Sequence, residues 1–170
     1  MALPRKLKHF NYFSDGESFL GLANEIGLPT LSRKMEGYRG AGMSGEVMID
    51  FGQEPIEMES KFGGHMRQVL RQYAINRHDG VQQRFAGAYQ RDDTGAIDAV
   101  EIVVRGRHQE IGRGNAKAGD DTEFTVKTVC SYYKEVVNGV TEIEIDLVNM
   151  IEIVGGVDRL AEARRAIGRP

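Results

Sequence analysis

The alternation of side-chain character with a period of two, broken at short intervals by turn-forming residues, constrains this chain more than any other feature. It dictates strands joined by hairpins rather than a bundle of helices. Phe10 and Tyr12 lead into Ser14-Asp15-Gly16 and then Phe19 to Leu22, a predicted hairpin, because Asp-Gly tolerates the positive φ of a tight turn. Leu31, Arg33 and Met35 on one parity oppose Ser32, Lys34 and Glu36 on the other. Val47 to Phe51 and Ile56 to Phe62 read as a second pair connected by Gln53 to Pro55. In that pair Ile56, Met58 and Phe62 share one parity, while Glu57, Glu59 and Lys61 share the other. A longer hairpin runs from Val81 to Arg91, across Asp92-Asp93-Thr94-Gly95, and back through Ile97 to Ile111. Thr122 to Val137 then returns across Asn138-Gly139, the strongest hairpin signal in the chain, through Thr141 to Val148.

Two segments change period. From His65 to Asn76, Met66, Val69, Leu70, Tyr73 and Ala74 fall at helical spacing, which predicts an amphipathic helix closed by His78-Asp79-Gly80. At the end, Val157, Leu160, Ala161 and Ile167 with Arg159, Glu162, Arg164 and Arg165 predict a short C-terminal helix, opened by Asp158 and stopped by Gly168. The segment Gly37 to Gly45 holds four glycines and is expected to be a mobile loop. With 170 residues one hydrophobic core suffices, so 1–170 is expected to be a single domain, mainly β with two helices.

Charge and composition narrow the function. Lysine and arginine number 22 against 25 acids, a net charge of −3, so no global field draws in phosphate backbones. Arg5, Lys6 and Lys8 are followed by polar and acidic residues rather than an apolar run, so no signal peptide is expected. No stretch has the roughly 18 apolar residues that span a bilayer, so the monomer is not expected to insert into a membrane. The single Cys130 has no cysteine companion for a disulfide or a zinc site, which fits synthesis in a reducing cytoplasm.

The catalytic and ligand-binding patterns in the chain each fail on spacing or on the residue types present. His9, His65, His78 and His108 are scattered, with no metal-ligand spacing among them. Gly114 to Gly119 has the glycine interval of a phosphate loop, but Asp120 and Asp121 occupy the positions of its lysine and hydroxyl residue, where they would repel a nucleotide. Asp92-Asp93-Thr94-Gly95 lacks the ligand spacing of a calcium loop. Cys130 sits in a strand with no neighbouring basic motif, as an inert thiol does. No cofactor, no metal and no enzymatic activity are expected.

Read as a whole, the chain resembles the major tail tube proteins of contractile-tailed bacteriophages. The blocks that carry the resemblance are ALPRKLKHFNYFSDGESFLG, GLPTLSRKMEGYRGAGMSG, RFAGAYQRDDTG, VEIVVRGRHQEIGRGNAKAGDDTEFTV, SYYKEVVNG, EIDLVNMIEIVGGVDRL and RRAIG, in order along nearly the whole chain. The resemblance implies a β-sandwich or rolled barrel, six copies closing into a ring, and rings stacking into the inner tube of a tail. It also implies synthesis in the host bacterial cytoplasm and a final place in the virion tail. The partners implied are other copies of the chain, the tail sheath protein, the tape measure protein, and baseplate, initiator and terminator proteins. Genome DNA would pass along the bore without specific binding.

Within that picture, ring closure would pair exposed sheet edges between copies. The glycine-rich loop would supply Tyr38, Arg39 and Met43 as anchors on a neighbouring subunit, and Arg5, Lys6, Arg164 and Arg165 would reach acidic surfaces of neighbours. Asp50, Glu54, Glu57, Glu59, Glu142 and Glu144 are candidates for an acidic lumen, since carboxylates do not grip phosphates as lysines do through counterion release. The resemblance extends to the tube of a genome-less contractile bacteriocin and, more distantly, to type VI secretion tubes. A small-molecule-binding β-barrel is the alternative of another class and requires a monomer with a closed pocket. A hydrolase would require Asp and Glu side chains converging in a cleft.

Overall fold

The computed structural model describes residues 1–169. The alternating segments form one large antiparallel sheet. Strands β1 (Lys6–Ser14) and β2 (Glu17–Ser18) make a hairpin whose turn holds Asp15 at φ 47° and Gly16 at φ 85°. Further along, β7 (Val81–Gln90) pairs with both β1 and β8 (Ile97–Gly112). The other edge of β8 is taken by β9 (Phe124–Val137), which turns at Asn138 and Gly139, both at positive φ, into β10 (Val140–Asp146). Strands β11 (Ile151–Val154) and β12 (Val157–Asp158) continue the sheet, giving the order β12-β11-β10-β9-β8-β7-β1-β2. The free half of β9 pairs with β6 (Ile56–Phe62), and β6 with β3 (Ala23–Gly27).

A bulge bends the two longest strands. Arg105 faces Tyr132 and Gly106 faces Cys130, which leaves Ser131 as an extra residue and reverses the parity of β9. Phe124, Val126, Thr128 and Cys130 therefore point inward before the bulge, and Tyr133 does so after it. Glycine is required at 106 because an added Cβ would come within 2.1 Å of the Val129 carbonyl oxygen. The bend lets the sheet roll up. Tyr12 on β1 lies 5.8 Å, ring to ring, from Phe62 on β6, and Phe62 lies 5.9 Å from Phe124, although β1 and β6 are not neighbours in the sheet. Those rings, with Phe19, Phe85, Ile56, Met58, Val104 and Val126, make one buried core inside the roll. The mainly β, rolled architecture expected from the sequence is the architecture observed.

Several boundaries differ from expectation, each for a local reason. Val47 to Phe51 does not pair with Ile56 to Phe62. Instead β4 (Arg33–Tyr38) and β5 (Val47–Gln53) form a separate two-stranded sheet, while β6 joins the main one. Gly52 at φ 112° and the Glu54 N–H bonded to the Ser32 carbonyl turn the chain away after β5. The predicted loop at 37–45 is shortened, since Gly37 and Tyr38 belong to β4. Phe19 to Leu22 is not a strand; β2 is two residues long and Phe19 turns into the core.

The helix expected from His65 to Asn76 shrinks to a single turn, α1 (Arg67–Leu70), still burying Met66 and Val69. Ala74 at φ 61° is incompatible with helix, and Gln72 is bonded to Ser14 and His108 rather than displayed on a helix face. At the end, Val157 and Asp158 form β12 before α2 (Ala161–Ala166), and Gly168 at φ 77° stops the helix as predicted. No helix among the described residues is long and apolar enough to cross a membrane.

Candidate assembly surfaces

The β4–β5 hairpin has no strand partner in the main sheet, and its apolar side chains are bare. Register places Glu36 beside Ile49 and Tyr38 beside Val47, so Tyr38, Val47 and Ile49 share one face, which Phe51 extends. They are 57%, 53%, 41% and 60% exposed, and Met35 and Met48 on the other face are 47% and 57% exposed. An isolated two-stranded hairpin is marginal in water, and one clothed in exposed apolar residues calls for a covering surface. Its root is fixed by Arg33, whose guanidinium donates to Asp50 and to Glu152 on β11, both at 2.8 Å. The Gly52 N–H and the Arg33 guanidinium together hold the Asp50 carboxyl below the usual carboxylate range. The tip closes on itself through Met43 N–H to the Gly40 carbonyl at 3.2 Å and Arg39 Nε to the Met43 carbonyl at 3.2 Å.

The candidate cations divide into two groups. Arg5 pairs with Asp98 at 2.6 Å, tying the segment before β1 to the start of β8. Arg164 donates to Asp158 at 2.6 Å and to the Met150 carbonyl at 2.7 Å, which pins α2 to β12. Lys6, Arg39 and Arg165 make no ion pair among the described residues. The Arg164 guanidinium also holds the Asp158 carboxyl below its ordinary range.

The candidate lumen acids are not gathered in one place. Asp50 belongs to the hairpin root and Glu54 to the connection after it. Glu57 and Glu59 lie together on the outward face of β6, opposite the parity of buried Ile56, Met58 and Ser60, with Glu59 across from Lys127 on β9. Glu142 is exposed at a bulge in β10. Glu144 lies on the outward face across from Lys134 and accepts from the Tyr132 hydroxyl at 2.9 Å.

The histidines have separate surroundings. His65 meets the edge of Phe124, His78 Nδ1 lies 2.7 Å from the Ser131 hydroxyl at the bulge, and His9 is exposed on β1. His108 is buried in a polar cluster that ties α1 to the roll. Gln72 Nε2 donates to the Asp15 carboxylate at 2.7 Å, which can only accept, so Gln72 Oε1 faces His108 and accepts from its Nε2–H at 3.1 Å. The Thr128 hydroxyl therefore donates to His108 Nδ1 at 3.0 Å and accepts from Gln83 Nε2 at 3.0 Å. Burial pulls the His108 pKa down to about 4, and pushes the Cys130 thiol up to about 12.

Sequence reasoning missed the hairpin as a surface. The signal was present in the alternation of Val47, Ile49 and Phe51 with Met48 and Asp50, but an apolar parity reads as core until the partner strand is known.

The fold is thus a rolled β-sheet with an exposed apolar hairpin that forms a two-stranded sheet of its own. Residues 4–168 match the family model of phage tail tube protein FII, and the chain belongs to that family. It is 49% identical to the tail tube protein of Escherichia phage P2, covering 99% of each chain. It is 35% identical to the major tail tube protein of Serratia phage KSP20, over 89% of this chain and 88% of that one. The fold is similar to that of a chain in the sheath-tube complex of an extracellular contractile injection system, at a TM-score of 0.55 and 10% identity, covering 75% of this chain and 88% of that one. It is also similar to a chain of the anti-feeding prophage tube-terminating cap, at a TM-score of 0.53 and 8% identity, covering 75% and 87%. The protein is thus a structural component of a phage tail.

Proposed function

We propose that six copies of the chain close into a ring and that the rings stack into the inner tube of a contractile tail, through which the genome leaves the particle. The observation that carries this reading is the β4–β5 hairpin. Four large apolar side chains on one of its faces are about half exposed, and covering what remains of each would release about 1 kcal/mol. Another copy of the chain is the partner that would cover a hairpin with no strand partner in the main sheet. Lys6, Tyr38, Arg39, Met43 and Arg165 stand at the periphery of the molecule as further contacts for that neighbour, whereas Arg5 and Arg164 order the chain ends that present them.

The bore side in this proposal is the wall made by β3, β6 and β9, where Glu57 and Glu59 face outward. Lys127 and Lys61 alternate with these carboxylates, so DNA would meet a surface of low net charge and slide without counterion release. A sheath would enclose such a tube, a tape measure protein would occupy it during assembly, and initiator and terminator proteins would cap its ends.

Electron microscopy of the purified protein, alone and with the baseplate that nucleates it, tests the proposal. Hollow tubes with six-fold rings are expected. Rings of another symmetry, or monomers under both conditions, overturn it.

A further inference from the structure

The turn between β9 and β10 joins a labile dipeptide to an unusually complete set of restraints. Asn138-Gly139 is the one place in the chain where glycine follows asparagine. Such a pair readily loses its side-chain amide, because no Cβ shields the glycine nitrogen from the asparagine Cγ. Both residues are exposed, and an added Cβ at Gly139 would meet nothing within 4 Å. Yet the Asn138 side chain is held at both of its polar atoms. Its Oδ1 accepts from the Ala99 N–H at 2.9 Å, and its Nδ2 donates to Asp98 Oδ1 at 3.0 Å. The Asn138 N–H donates to the Ala99 carbonyl at 2.9 Å. The other oxygen of Asp98 is taken by Arg5 Nε at 2.6 Å, from the segment before β1. Three stretches of chain far apart in sequence thus converge on one side-chain amide.

We propose that Asn138 is a site of spontaneous deamidation whose rate is set by Asp98 and Arg5, so that release of the N-terminal segment exposes the turn to conversion into aspartate and isoaspartate. The Gly139 nitrogen bonds to Asn138 Cγ, the Cγ–Nδ2 bond breaks, and the amide nitrogen leaves as ammonia with the proton that the backbone nitrogen gives up. Water then opens the five-membered imide at either carbonyl. For the attack the side chain must swing over the Gly139 nitrogen, which breaks its bonds to Ala99 and Asp98. Asn138 at φ 50° and Gly139 at φ 81° belong to the tight two-residue turn that joins these strands, so the backbone resists the same rearrangement. Arg5 is a positioning residue, since it acts through the carboxylate that holds Nδ2. Either product undoes the arrangement. An ionised carboxyl in place of the amide has no hydrogen to donate and stands against the Asp98 carboxylate. Isoaspartate adds a methylene to the backbone of a two-residue turn. The inference is independent of how copies of the chain assemble.

The test incubates the full-length protein, folded and unassembled, at mildly alkaline pH and low salt. Mass spectrometry of the peptide containing residue 138 follows the acid and iso-acid forms. Wild type unfolded in guanidinium supplies the unrestrained rate, and the folded protein is expected to react more slowly by roughly tenfold or more. Asp98→Ala is expected to speed the folded reaction roughly tenfold, through loss of the acceptor for Nδ2. Arg5→Gln is expected to speed it roughly threefold, the modest effect of an exposed ion pair. Lys8→Gln, which breaks the neighbouring Lys8–Asp92 pair instead, is expected to keep the wild-type rate. Added salt should accelerate wild type more than Arg5→Gln, since the Arg5 side chain is 42% exposed and its ion pair is screened. If Asp98→Ala fails to fold, Arg5→Gln and the salt series decide. Equal rates in folded and unfolded wild type, a wild-type rate in Arg5→Gln or in folded Asp98→Ala, the same salt response in wild type and Arg5→Gln, or an equal gain from Lys8→Gln each overturn the proposal.

Discussion

His108 is the residue whose chemistry most exceeds what its sequence context suggests. It sits in a strand of alternating charge, yet it is buried and neutral, held by Thr128 on one ring nitrogen and Gln72 on the other. Protonating Nδ1 would set a second donor against a threonine hydroxyl that already accepts from Gln83. The linkage follows from the direction of the shift. The folded imidazole titrates at about 4, below the ordinary 6.5, so the unfolded chain takes up a proton first as pH falls. Stability from this group is intact above pH 6.5 and declines between there and pH 4, by up to roughly 3 kcal/mol. Urea unfolding of the unassembled protein should show its midpoint falling between pH 7 and pH 5, before most carboxylates titrate. In His108→Gln the slope over that interval should flatten. An equal slope in both proteins would mean that another group carries the acid sensitivity.

Among the elements, the long hairpins were legible from alternation and turn chemistry, while the short or interrupted pieces were not. Asp15-Gly16 and Asn138-Gly139 do turn the chain at positive φ, and β7 to β10 run nearly where alternation placed them. Ala23 to Gly27 escaped notice because Ala-Asn-Glu-Ile-Gly has no clean parity; its strand exists because β6 offers a ladder. Met66, Val69 and Leu70 kept helical spacing, but tertiary bonds to Gln72 and the positive φ of Ala74 won after one turn. Of the candidate contact residues, Tyr38 is exposed on the hairpin, as its place in the glycine-rich segment suggested. The internal pairing of Arg5 and Arg164 was not, since their partners are distant in sequence or beyond a turn. The hairpin itself yields a prediction at this scale. Replacing residues 35–51 by a short Gly-Ser linker removes no buried core side chain, so the melting temperature of the monomer should stay within a few degrees of wild type while tube assembly, scored by sedimentation, is lost. A cooperative unfolding transition lost with the hairpin would show instead that it belongs to the folding unit.

At the scale of the whole molecule, the proposed bore lies on the β6 wall, where Glu57 and Glu59 face outward. Turning the near-neutral proposed bore wall basic with Glu57→Lys and Glu59→Lys should leave folding unaffected, because both side chains point outward. Particles assembled from this variant should eject DNA more slowly, and the delay should shrink as salt is raised. Ejection at the wild-type rate and salt dependence would place the bore on another wall. The solitary thiol has a practical corollary. Cys130 lies within the core with its proton firmly held, so the native surface is silent toward maleimides. A cysteine introduced at any outward strand position would then be the sole conjugation handle per subunit, and a finished cylinder could carry dyes or enzymes at a fixed pitch without first removing a native sulfur.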